Sequence, residues 1–158
     1  MSQVMAAPRW LDADQQQVWR TYLLGSARLA ERLDADLRAF GLDLGEYEIL
    51  VTLSEAPDRR VRMSELADAV HQSRSRLTHT VTRMERKGLV TRAPAPADRR
   101  GVMATLTDAG FALLETAAPD HVTAVRAVLV DVVDEADYAA LGRAMQAVTA
   151  TPVQSRTA

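Results

Sequence analysis

MSELADAVHQSRSRLTHTVTRMERKGLV, from Met63 to Val90, is the stretch whose reading decides the fold. Ser64 stands where a helix N-cap belongs, ahead of a brief helix over Glu65–Val70, since its hydroxyl can satisfy a free N–H of the first turn. His71-Gln72 form a turn. Ser73 caps the next helix, Arg74–Lys87, and Gly88 stops it by supplying the left-handed backbone a helix end favours. At about 100° per residue, Leu77, Val81 and Met84 fall on one side of that helix and must face a core. Ser75, His79, Thr82 and Arg86 fall opposite, with Arg76 and Arg83 beside them. This outward face carries donors, hydroxyls and cations, with no carboxylate until Glu85. A generic solvated face would mix Glu with Lys and Arg.

Helices of ~7 and ~14 residues joined by a tight turn match the helix-turn-helix plan, whose second helix enters the major groove of DNA. The charge pattern agrees. Between Arg59 and Arg100 lie eleven Lys/Arg and four acidic residues, a local +7; the rest holds eight basic and seventeen acidic groups, −9, for a total of −2. An overall pI near 5.9 thus hides a basic segment between acidic arms. Concentrated positive charge on such a scaffold is the electrostatic footprint of a nucleic-acid reader.

Downstream, Leu89–Arg92 and Val102–Leu106 read as two strands, separated by a proline-stiffened, charge-tipped loop from Ala93 to Gly101. Such a hairpin carries Arg99 and Arg100 at its tip, and an arginine on a narrow ribbon can enter a narrow minor groove. Asp98 can pair with a guanidinium and hold its rotamer. An ordinary acidic turn residue is the alternative.

Outward from this core, a helix is expected from a cap at Asp12, with Gln15 three positions on, to about Phe40, where Gly41 stops it. Leu29, Leu33 and Leu37, joined earlier by Val18 and Tyr22, give it an apolar stripe. At the next helix Asp43 caps, Glu46 reaches back and Leu42 staples onto Tyr47; it runs to Ala56, and Pro57-Asp58 end it. Arg60–Met63 form a short extended piece. Thr107 caps a helix that should bend near Pro119, which cannot donate to the turn behind it, and resume to about Val132. Asp134 caps the last helix, on which Tyr138, Leu141, Met145 and Val148 recur every three to four residues. The fold class is mostly α with a small β-wing (α+β).

Other function classes find little support. At 158 residues, 47% hydrophobic and 25% charged, the chain is globular. No span approaches the ~20 apolar residues of a membrane helix, and Met1–Trp10 lacks a secretory pattern, so no membrane is expected and the cytosol is the default. Without cysteine there are no disulfides, thiolate metal sites or thiol switches. His71, His79 and His121 form no H-x-x-x-H or H-E-x-x-H pattern, so no metal is expected. Neither G-x-S-x-G, a phosphate-binding glycine loop nor a nucleotide fingerprint occurs, so no enzyme and no cofactor are expected.

On these residues the chain resembles the MarR family of winged-helix transcription regulators. The resemblance runs from about Asp43 to Gly110. Its motifs are Leu44-Gly-Glu-Tyr-Glu-Ile-Leu50, Met63-Ser-Glu-Leu-Ala67, Ser73-Arg-Ser-Arg-Leu-Thr78, Val81-Thr-Arg-Met-Glu-Arg-Lys-Gly-Leu-Val90, Asp98-Arg-Arg100 and Leu106-Thr-Asp-Ala-Gly110. Their order and spacing are more specific than any single motif, and the flanking helices agree in pattern only. His71 departs, because many members place Gly in that turn and a positive φ costs His more.

The resemblance implies a winged helix-turn-helix lobe at 43–107, a helical dimerisation region at 12–40 and 108–150, and flexible termini at 1–11 and 151–158. It implies a homodimer that binds an inverted repeat in double-stranded DNA, with repression as the outcome. The DNA-binding residues it points to are Ser73, Arg74, Ser75, Arg76, Thr78, His79, Thr82, Arg83, Arg86, Asp98, Arg99 and Arg100. Many relatives are released from DNA by small aromatic or phenolic anions. Trp19, Tyr22 and Tyr47 are the candidates to line such an effector pocket, with core or interface packing as the other reading. The competing function is a sequence-neutral winged-helix architectural or protein-interaction module.

Overall fold

A computed structural model describes residues 8–96 and 98–151, with the backbone alone for 98–100. Among the described residues six α-helices and three strands follow in the order α1 (Ala13–Leu37), α2 (Leu44–Glu55), β1 (Arg60–Arg62), α3 (Met63–Ala69), α4 (Arg74–Arg86), β2 (Val90–Ala95), β3 (Asp98–Leu106), α5 (Asp108–Val125) and α6 (Glu135–Thr149). None of the described helices is long and apolar enough to cross a membrane. The mostly helical fold class with a small antiparallel sheet holds.

Local chemistry sets most boundaries. Asp12 with Gln15 and Asp43 with Glu46 both close capping boxes, each satisfying two N–H groups reciprocally. Ser73, Thr107 and Asp134 accept from the first turns of α4, α5 and α6. Gly41 and Gly88 end the α1 and α4 segments at φ 69° and 74°. His71 takes φ 51° in the turn between α3 and α4, a conformation its Cβ makes costly.

Three details differ from the sequence expectation. α3 begins at Met63, and Ser64 lies within its first turn instead of capping it. The pairing of Arg62 with Met103 holds the preceding residue extended and lets the helix start two residues earlier. The hairpin strands run far into the expected loop, since Ala93 pairs with Met103 and Pro94 lies opposite Val102, with a register slip between Pro94 and Ala95. The sheet order β1-β3-β2 leaves β2 on an edge, where a proline's missing N–H disrupts no ladder. Finally, α5 passes through Pro119 to Val125 and then loosens into a π-turn at Arg126–Val130. Of the termini expected to be flexible, 1–7 and 152–158 lie outside the described residues.

The core sits inside the lobe built from α2, α3, α4 and the sheet. Ile49, Leu50, Leu53, Leu66, Val81 and Met84 are fully buried, each contributing ~1.5–3 kcal/mol by removal from water. α1 and α5 reach this core only in part, through Leu33, Leu37, Leu114 and Ala117. Beyond these and Ala124, much of the arms is bare: α6 has no buried residue, while Val18, Trp19, Tyr22, Leu23 and Leu24 of α1 stand exposed.

Candidate nucleic-acid interface

α4 is held by its apolar side. Leu77, Val81 and Met84 are 1% exposed or less, as the helical wheel requires, and Thr80 is buried beside them with its hydroxyl donating to the Arg76 carbonyl at 3.1 Å. Ser73 and Arg74 at its N-terminal end, and Ser75, Arg76, Thr78, His79 and Arg86 away from the apolar side, are exposed. Thr78 Oγ1 donates to the Arg74 carbonyl at 2.8 Å, which commits its hydrogen and leaves lone pairs and a methyl group outward. Among the described residues no carboxylate ion-pairs with Arg74, Arg76 or Arg86. This face can donate to phosphates and to base edges.

Other cations of the basic segment are spoken for. Arg83 Nε donates to Glu46 Oε1 at 2.9 Å and its Nη2 donates to Asp43. Lys87 Nζ donates to both Glu46 oxygens, at 2.9 and 2.8 Å, and to the Gly41 carbonyl at 2.8 Å. Arg92 on β2 grips Glu85 through Nε and Nη2, and Nη2 also donates to Thr82 Oγ1 at 3.0 Å. Arg59 lies over the Phe111 ring, 3.7 Å from its centre, and pairs with Asp108. The local +7 therefore overstates the charge that the reading face offers. Arg83 and Thr82, singled out as contacts from sequence, are half-engaged in tying the lobe together.

Sequence reasoning overlooked Glu46 and Asp43 as partners of α4. Burial alone would raise the Glu46 carboxyl, yet hydrogen bonds from Lys87, then Arg83 and the Asp43 N–H, outweigh it and hold it below its ordinary value. No local signal marks these pairs, since the partners lie 37 to 41 residues apart. The burial of Thr80, by contrast, was legible three positions after Leu77.

β2 and β3 form the wing. Asp98, Arg99 and Arg100 enter β3 in backbone, while their side chains, and with them the expected Asp98–Arg100 pairing, lie outside the described residues.

The three aromatic candidates do not converge. Trp19 and Tyr22 stack on each other, centroids 5.9 Å apart, on the exposed N-terminal half of α1. Tyr47 is buried in α2 with its ring 4.2 Å from that of His121 on α5. Tyr47 and His121 line a cavity of about 440 Å³ together with Leu33, Val51, Val70 and His71, and neither Trp19 nor Tyr22 reaches it. Burial pushes the Tyr47 hydroxyl up and the His121 imidazole down, and His121 Nδ1 has no hydrogen-bond partner among the described residues.

Comparison with known proteins points one way. Residues 40–101 match the MarR family. The chain is 33% identical over 121 residues to the HTH-type transcriptional regulator PecS of Dickeya dadantii, covering 75% of this chain and 72% of PecS. Among solved structures it is similar to AbsC, a MarR family transcriptional regulator from Streptomyces coelicolor, at 43% identity and TM-score 0.85, over 90% of this chain and 96% of AbsC. Sco3205, a MarR family transcriptional regulator from the same organism solved in complex with DNA, matches at 41% identity and TM-score 0.89. That match covers 96% of this chain and 97% of Sco3205.

Proposed function

The chain belongs to the MarR family, and from that premise we propose that it is a repressor that binds an inverted-repeat operator as a homodimer. The observation that carries this reading is the exposed, carboxylate-free face of α4, mounted on a buried apolar side and flanked by a wing. Sco3205 was solved in complex with DNA, which supports a DNA-binding role for this chain. Ser73, Arg74, Ser75, Arg76, Thr78, His79 and Arg86 read the major groove, and Arg99 and Arg100, steadied by Asp98, flank it from the wing.

Two copies are needed to read a repeat, and the arms supply the means. Trp19, Tyr22, Leu23 and Leu24 on α1, with Tyr138 and Val148 on α6, leave an apolar surface that residues 43–107 do not cover. Residues 12–40 and 108–150 accordingly form the dimerisation region, with two α4 helices in successive major grooves ~34–36 Å apart. Bound at a promoter, the dimer excludes polymerase. A small aromatic anion would act through the Tyr47–His121 cavity between α1, α2 and α5, where it must favour one disposition of the arms to matter.

In-vitro selection from a random duplex library, followed by anisotropy titration on the selected and scrambled duplexes, tests the reading. Selection of a palindrome is expected, with Arg76→Ala losing ~1–3 kcal/mol and relaxing preference at one position. Equal affinity for scrambled DNA would instead make this an architectural protein.

A further inference from the structure

Lys87 is the one lysine of this chain; every other basic side chain is arginine or histidine. It closes a polar joint at the corner where α1 turns into α2. Its ammonium points three donors at three acceptors, the two Glu46 oxygens and the Gly41 carbonyl, which suits a compact tetrahedral cation better than a planar guanidinium. Glu46 is 1% exposed, and its charge is offset by two cations, Arg83 on α4 and Lys87 at its C-cap. Arg83, one turn earlier on the same helix, adds its fork across Glu46 and Asp43.

The joint continues into the arm. Asp34 of α1 accepts from the Leu44 N–H at 3.0 Å, at the first residue of α2, and from Arg38. That backbone bond, reinforced by Arg38 against the cost of burial, holds the Asp34 carboxyl below its ordinary value. α1 is thus pinned to the start of α2, and the start of α2 is pinned to the C-terminal half of α4. None of these polar groups is needed to fill the core, which Leu77, Val81 and Met84 already do from the other side of the helix. Apolar packing resists separation but is indifferent to small rotations and slides. Charge-assisted hydrogen bonds at fixed distances are not.

We propose that Glu46 is a positioning residue for DNA reading: gripped by Lys87 and Arg83, and tied through Leu44 to Asp34, it sets the angle of α4 against the α1 arm and hence the half-site spacing the dimer accepts. The inference rests on the dimeric, repeat-binding reading above. Loss of the joint leaves α4 folded and its reading face chemically intact, but lets the two helices wander relative to each other. Spacing discrimination, more than affinity for a half-site, is what the joint supplies.

The test uses the full chain and the palindromic duplex selected on it, remade with its centre shortened or lengthened by one base pair. Glu46→Gln and Lys87→Gln are compared with Arg74→Gln, which touches only the reading face. Wild type should prefer its own spacing, and Arg74→Gln should weaken all three duplexes alike. Glu46→Gln and Lys87→Gln should lose on the order of tenfold on the native spacing and much less on the altered ones, flattening the preference. Lys87→Gln, at the exposed end of the helix, keeps the test decisive if Glu46→Gln does not fold. Equal losses across the three spacings in both variants, or in Lys87→Gln alone, would overturn the proposal and leave the joint a stability element. Failure of wild type itself to select a palindrome would sink the underlying reading instead.

Discussion

Salt dependence distinguishes cations that touch DNA from cations that hold the protein together, and the geometry assigns each. Arg74, Arg76 and Arg86 stand exposed on the reading face, while Arg83, Lys87 and Arg92 are bound to Glu46, Asp43 and Glu85. Two copies of the first set offer six phosphate-neutralising charges, before any contribution from the wing. At about −0.9 per charge the slope of log K against log salt is roughly −5, an affinity loss of about a thousandfold between 50 and 200 mM. Neutralising one of these residues removes two charges per dimer. Arg74→Gln should therefore make the slope shallower by nearly 2. Arg83→Gln should leave the slope within about half a unit of wild type, whatever it does to stability. Anisotropy titrations of a labelled duplex at four salt concentrations give all three slopes. A slope for Arg83→Gln that falls as far as that for Arg74→Gln refutes the division of labour. So does a wild-type affinity that barely responds to salt.

Gly110→Ala should destabilise by roughly 2–4 kcal/mol in urea unfolding, through overpacking and lost hydrogen bonds. A Cβ there would sit 2.2 Å from the Leu89 carbonyl oxygen, which accepts from the Thr107 N–H that anchors α5. Stability equal to wild type would show that α5 is not seated this way. His71→Gly should stabilise by about 0.5–1 kcal/mol, the relief of a left-handed backbone less the extra chain entropy of glycine. A loss measured in the same titration would mean the His71 side chain contributes more than its backbone costs. His121 is half-buried, and desolvation lowers its pKa, so the unfolded chain binds the extra proton. Its contribution is present above the unfolded value near 6.5 and is lost as pH falls through the lower folded value. His121→Phe, which keeps a ring against Tyr47, should flatten the melting temperature between pH 7 and 5. An unchanged pH profile would remove His121 as its cause.

Legibility in the sequence followed the range of the interaction. Caps at Asp12, Asp43, Ser73, Thr107 and Asp134, and stops at Gly41 and Gly88, were readable because each device is complete within a few residues. The two sides of α4 were readable for the same reason, since a 3.6-residue period sorts Leu77, Val81 and Met84 from Ser75, His79 and Arg86 without reference to anything else. The strained turn at His71 was legible too, against the glycine that the family resemblance leads one to expect there.

Tertiary structure decided which charges are free. Arg83 and Arg86 look alike in the sequence, yet one is captured by carboxylates some forty residues upstream and the other faces solvent. Ser64 lost its expected capping role because a sheet partner fixes the residue before α3, and the wing strands lengthened because pairing across β3 outweighs Pro94. Trp19 and Tyr22 share a chemistry with Tyr47 but not a cavity, because one end of α1 leaves the lobe. Helical period and capping are properties of neighbouring residues, so the chain alone determined them. Ion pairing and cavity lining depend on which distant segments the core brings together, and only the folded molecule holds that information.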